Sequence, residues 1–127
     1  MVTEALFLLP FDPVLQVIET GMPRLPAQAR YNIVVREFIG HLLDELSVKI
    51  WDRDATAHTA PAVCYLKKCG VEEWLAETFA QNVFNAIFDT VVSYFPNLTF
   101  QELAAGRFVL EPDNVTLLVY LKQAAYA

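Results

Sequence analysis

The sequence predicts a mainly α protein of the α+β kind. A small helical bundle surrounds a long central helix at about residues 71–95, and a β-hairpin closes the chain at about residues 107–122. Three observations carry this. The stretch Val71 to Phe95, VEEWLAETFAQNVFNAIFDTVVSYF, contains no Gly, no Pro and no basic residue. Upstream, Ala27 to Leu46 repeats apolar residues at helical spacing. Downstream, Arg107 to Lys122 changes texture to β-forming residues around Pro112-Asp113-Asn114. With 127 residues, the chain is read as a single globular domain, 1–127, with residues 1–11 as an N-terminal strand or arm.

In chain order, Ala5-Leu6-Phe7-Leu8-Leu9 reads either as a short strand or as an apolar arm reaching a neighbour. Asp12-Pro13 supplies a helix start, with Asp12 as cap and Pro13 at the first helical position. The short helix Pro13 to Thr20 presents Val14, Leu15 and Ile18, and Gly21 ends it before a proline-flanked loop, Met22 to Pro26. A strong amphipathic helix is expected from Ala27 to Leu46 and on to about Trp51, although Val48 and Ile50 leave a strand open there. Its apolar stripe is Tyr31, Val34, Val35, Phe38, Ile39, Leu42, Leu43 and Leu46. Gly40 inside it suggests close approach of another backbone. Asp52 to Pro61 reads as a polar connection, and Ala62 to Cys69 as a short helix that Gly70 ends.

In the central segment, Ala80, Val83, Phe84, Ile87, Phe88, Val91 and Phe95 share one helical side. Val71, Trp74, Leu75 and Phe79 point to a rotated side. The segment is therefore one helix buried on different sides, or two helices with a break near Ala80. Pro96 stops it by pushing Phe95 away from helical angles. Asn97 or Thr99 caps a short turn through Gln101 to Ala105. In the hairpin, Val115 to Leu121 has almost no polar alternation, so both of its faces should be covered. A lone hairpin is marginal, so it must pack on helices, take Ala5 to Leu9 as a third strand, or pair with another chain.

The totals exclude some functions. A net charge of −6, with nine basic residues and none between Lys68 and Arg107, argues against direct electrostatic binding of nucleic acid. No run approaches the roughly 18 apolar residues of a membrane span, and Ala5 to Leu9 lacks a basic start and is cut by Pro10, so no membrane partner is expected and the cytoplasm is the default. A charged share of 19% beside 55% hydrophobic residues leaves a thinly charged surface, which favours association. The four glycines stand singly, so no phosphate loop is present, and no cofactor is expected.

Two helical surfaces and one strand carry the candidate sites. Opposite the apolar stripe of the central helix lie Gln81, Asn82, Asn85, Asp89 and Ser93, with a single charge among them. A solvated face normally carries Lys and Glu pairs. Either these amides bond to neighbouring loops or they form an interface, where charge is depleted. Gln81, Asn82, Asn85 and Asp89, with Leu118 and Tyr120 of the hairpin, are the expected interface residues. Glu37, His41 and Glu45 follow at four-residue spacing with Asp44 beside them, which suits a divalent metal or acid–base work but also an ordinary solvated face. Asp52, Asp54 and His58 form a second acidic-plus-His group in the expected linker. Cys64 and Cys69 point to opposite sides of a helix and read as small buried hydrophobes, with a reactive thiol beside Lys67 and Lys68 as the alternative.

The resulting expectation is a non-enzymatic interaction or assembly subunit, self-associating or docked on a larger complex, as small accessory or viral structural and adaptor proteins are. The alternatives are a metal-assisted hydrolase or acid–base enzyme built on Glu37, His41 and Glu45, and an apolar-ligand carrier lined by Phe79, Phe84, Phe88, Tyr94 and Phe95.

Overall fold

The computed structural model describes residues 4–48 and 55–122. The expected extension of the second long helix to Trp51, and the positions of Asp52 and Asp54, lie outside the described residues. Within them the chain runs β1 (Glu4–Pro10), α1 (Asp12–Gly21), a 3-10 turn (Met22–Arg24), α2 (Ala27–Asn32), α3 (Val35–Val48), α4 (Ala55–Lys68), α5 (Glu73–Tyr94), α6 (Phe100–Ala104), β2 (Arg107–Leu110) and β3 (Thr116–Lys122). The expected fold class, mainly α around a long central helix with a C-terminal hairpin, is what the structure has.

The three strands form one antiparallel sheet in the order β1-β3-β2. Residues 5 to 9 are therefore the third strand that the hairpin needs: Ala5 pairs with Leu121, Phe7 with Val119 and Leu9 with Leu117. Strand alternation sorts the side chains onto two faces. Leu9, Phe108, Leu110, Leu117, Val119 and Leu121 point into the core. At the β2–β3 turn Asn114 takes φ 64, which its short side chain tolerates. Asp113 Oδ1 accepts from the Val115 and Thr116 N–H groups.

α5 is one continuous helix of 22 residues, about 33 Å long, so the alternative break near Ala80 does not occur. It packs between α1 and α4, and α4 packs in turn on α3. Ala76, Ala80, Val83, Phe84, Ile87 and Val91 form its buried stripe. The rotated first third survives in part. Phe79 turns toward α1 and stacks on Phe38 at 5.3 Å, and a Cβ on Gly21 would lie 2.8 Å from its ring. Glycine at position 21 is what allows α1 to approach. Trp74 is a correction: it is 63% exposed, with Nε1 donating to Glu72 Oε2 at 2.7 Å. Gly70, at φ 99, ends α4 in a Schellman motif, with Val71 N–H on the Leu66 carbonyl and Gly70 N–H on the Lys67 carbonyl. Thr99, rather than Asn97, caps α6 in a reciprocal capping box with Glu102.

Other expectations are corrected by packing. Asp12 is the first residue of α1 rather than its cap; Phe11 holds the cap position without a side-chain bond, and Asp12 acts through the helix dipole. Part of the Met22 to Pro26 loop is the 3-10 turn. The helix expected from Ala27 breaks at Ile33 (φ −77, ψ 121). Ile33, Val34 and Val35 are three successive β-branched residues, which resist helical packing, and the break buries Ile33. It leaves Tyr31 90% and Val34 55% exposed, outside the expected stripe. Phe38, Ile39, Leu42, Leu43 and Leu46 remain buried. Ser47 and Val48 are helical, so the strand reading fails at both.

Gly40 faces no backbone either: a Cβ there would meet nothing within 4 Å. With no close approach to protect, Gly40→Ala is expected to stabilise the protein by about 0.5–1 kcal/mol, read as a rise in the urea midpoint at unchanged slope. A fall in the midpoint would show that α3 needs the glycine.

The polar connection expected through Pro61 is, from Ala55 onward, the first half of α4. Pro61 sits inside that helix. His58, Ala62, Leu66 and Cys69, spaced four, four and three apart, are its buried side.

Candidate functional site

The outward face of the sheet is built by the same alternation that fills the core. β1 contributes Leu6 and Leu8, β3 contributes Leu118 and Tyr120, and β2 contributes Arg107 and Val109. The register sets them in rows: Leu6 beside Tyr120 beside Arg107, then Leu8 beside Leu118 beside Val109. Leu8 is 63%, Leu6 51% and Val109 41% exposed, while Leu118 and Tyr120 are half-buried by their neighbours. Covering of β3 is thus one-sided: its inner face meets the core, and among the described residues its outer face does not have the cover expected from the sequence. Charge stands at the margin. Arg107 bonds Glu4 across β3 at 3.3 and 3.4 Å, and its guanidinium lies 4.4 Å over the Tyr120 ring. Contiguous exposed leucines and valine on one sheet face are uncommon on a surface that only meets water.

The amide side of α5 is the second surface. Asn82, Asn85 and Asp89 are exposed, and Gln81 is half-buried. Asn82, Asn85 and Asp89 line a groove of about 520 Å3 between α5 and α1, with Gln16 and Arg24 opposite. Gln81 instead lines the groove between α5 and α4. The four residues are therefore divided between two clefts. The expected alternative, amides bonded to neighbouring loops, has no hydrogen bond behind it for Gln81, Asn82 or Asn85 among the described residues.

Of the expected metal group, Glu37 and His41 line a groove between α3 and α4 together with Cys64, Tyr65 and Cys69; Glu45 does not line it. Among the described residues no three His, Cys, Asp or Glu side chains are placed to hold a metal ion. His41 lies with its ring 5.5 Å from that of Tyr65. Burial pushes the Tyr65 phenol above its ordinary 10.0, and the neighbouring Cys69 adds to this, while the bond from the Val34 N–H at 2.9 Å opposes it. The Tyr65 hydroxyl thereby receives the first N–H that precedes α3, a structural duty.

His58 is not part of a polar linker. It is buried and stacks on Phe84 at 5.1 Å with ring planes 9° apart. The four-residue spacing from His58 to Ala62 to Leu66 carries this signal, which assigning Asp52 to Pro61 to a polar connection cuts in two. Cys69 is buried as expected, with its thiol 3.7 Å from the Asn32 carbonyl, whereas Cys64 is exposed; both are free. The aromatics of the carrier reading are mostly spent on packing. Phe84 and Phe88 are core residues in contact with each other, Phe88 meets Phe100, and Phe95 meets Phe7. Tyr94 is exposed.

The residues that sequence reasoning missed are Leu6, Leu8 and Val109. For Leu6 and Leu8 the signal is the uninterrupted apolar run in β1, whose pairing partner the sequence does not fix; for Val109 it is the alternation of β2, in which Phe108 and Leu110 are buried and Val109 is not. Among the described residues no helix is long and apolar enough to cross a membrane. Comparison with protein families, with characterised proteins and with solved structures gives no match to this chain.

Proposed function

We propose that this protein is a non-enzymatic interaction or assembly subunit that docks through the outward face of its sheet. The observation that carries the reading is the exposed row Leu8-Leu118-Val109, flanked by Leu6 and Tyr120. A polar residue at these positions would serve a monomer equally well, since side chains on a wet sheet face add little to the core. Apolar centre and charged margin is the anatomy of an interface. The amide side of α5, with Asn82, Asn85 and Asp89, is a second contact in this reading, and the cytoplasm is the proposed compartment.

Leu8→Lys is the test. The variant is expected to lose less than about 1 kcal/mol of stability, the scale of one cross-strand pair, while binding of an apolar fluorescent dye falls several-fold. Wild-type protein that binds no such dye would count against an apolar docking face. So would a Leu8→Lys variant that unfolds as readily as a core variant, because Leu8 would then be serving the fold.

A further inference from the structure

Resting on that reading of the sheet face, we propose that its occupant is a second copy of the same chain, packed face to face about a two-fold axis that runs along the row Leu8-Leu118-Val109. The row sits at the centre of a symmetric pattern. Along β2, Arg107 lies two residues before Val109 and Glu111 two residues after; along β3, Tyr120 and Thr116 flank Leu118 in the same way. The Glu111 N–H donates to the Thr116 carbonyl at 2.9 Å, which carries the ladder one step past β2 and, by alternation, puts Glu111 on the outward face. Along β1, Leu6 and Pro10 flank Leu8.

A two-fold axis in this row reverses each strand onto its own copy. Leu8, Leu118 and Val109 then meet themselves, Leu6 meets the partner's Pro10, and Tyr120 meets the partner's Thr116. Arg107 meets the partner's Glu111, twice per dimer. An isologous contact requires this kind of self-matching, with each patch complementary to itself.

Charge selects the occupant. The open end of the sheet carries Arg107, Lys122 and Glu4, a formal sum of +1; the turn end carries Asp12, Glu111 and Asp113, with Arg36 of α3 bonded to the end of β2, a formal sum of −2. The face is dipolar and nearly balanced, while the chain as a whole carries −6. Two copies repel over most of their surface and can approach here with opposite ends matched. A strongly basic or strongly acidic partner would find little excess charge to read. Glu111 makes no ion pair among the described residues, so its carboxylate is available, and Arg107 is held at the surface by Glu4 and the Tyr120 ring.

Size sets the strength. Two strands of seven residues and one of four, about 4.8 Å apart at about 3.3 Å per residue, cover roughly 280 Å2 in projection. That is well below the ~800 Å2 per partner of a standard interface, so the dimer is a weak one that forms with concentration.

Sedimentation velocity on the full chain from about 10 μM to about 1 mM tests this, with wild type, Arg107→Glu, Glu111→Arg and an equimolar mixture of the two variants, each checked for folding by thermal melting. The expected result is a concentration-dependent dimer for wild type, at least about tenfold weaker association for each variant alone, and recovery in the mixture. In the mixture each reversed charge again meets its opposite. A wild type that stays monomeric throughout overturns the proposal, and dye binding on the same sample then shows whether the docking face itself survives. A wild-type dimer whose variants are not rescued on mixing overturns it as well, because the contact then lies elsewhere.

Discussion

Phe84→Ala is expected to lower the free energy of unfolding by about 3–5 kcal/mol, the range for truncating a fully buried phenylalanine. Phe84 has no exposed surface, its ring lies parallel to His58 at 5.1 Å, and Phe88 touches it at 5.9 Å. It stands where α5 meets α4, so neighbouring side chains are anchored on two helices and cannot collapse freely into the space left behind. Against a total of about 5–15 kcal/mol for a domain, such a loss takes about a fifth or more of the stability. Urea unfolding followed by circular dichroism reads it as a large fall in midpoint. Trp74→Ala is the contrast. Although larger, Trp74 is mostly in water, and its truncation is expected to cost less than about 1 kcal/mol. If the two variants unfolded alike, α5 would be rotated from the orientation described.

Arg36→Ala is expected to cost about 2–3 kcal/mol. The Arg36 guanidinium donates to the Leu110 carbonyl at 2.7 Å, the Glu111 carbonyl at 2.9 Å and Asn114 Oδ1 at 2.8 Å. One side chain on α3 thus ties down both the end of β2 and the turn before β3. Hydrogen bonds from a charged donor contribute about 1.5–3 kcal/mol each, but two of these three are exposed, so their sum falls short of three full bonds. Arg36→Lys should recover less than half of the loss, because an ammonium cannot reproduce the planar fork. Hydrogen exchange localises the effect: protection of the Asn114 amide, which is bonded to the Glu111 carbonyl, should fall further than that of amides in α5. An unchanged Asn114 amide in Arg36→Ala would show that the turn holds itself.

Both variants bear on what could be read from the chain. Phe84 was legible: its place among Ala80, Val83, Ile87, Phe88 and Val91 follows from helical spacing alone. Arg36 was legible only as a polar residue on a helix face, because its three acceptors lie more than 70 residues away in the chain. The same division separates the two candidate surfaces. Leu118 and Tyr120 could be named from a strand without polar alternation, but Leu6 and Leu8 join them only once β1 pairs with β3 in the observed register. For Glu37, His41 and Glu45 the spacing was correct as helical geometry and silent about convergence, which depends on the groove between α3 and α4.

What the sequence determined by itself was local. It set the helical period of α3 and α5, the left-handed stop at Gly70, the arrest of α5 before Pro96, and the turn at Asp113 and Asn114. Each depends on neighbours within a few residues. Tertiary structure decided the rest. It broke the helix at Ile33 to bury that side chain, continued α4 back past Pro61 so that His58 and Thr59 are buried, and left Trp74 and Tyr31 in water. It also determined that β3 would be covered on one face and only half-buried on the other. Periodicity fixes which residues share a side of an element. Which side meets another element depends on contacts between distant parts of the chain, and these are settled when the whole core packs at once.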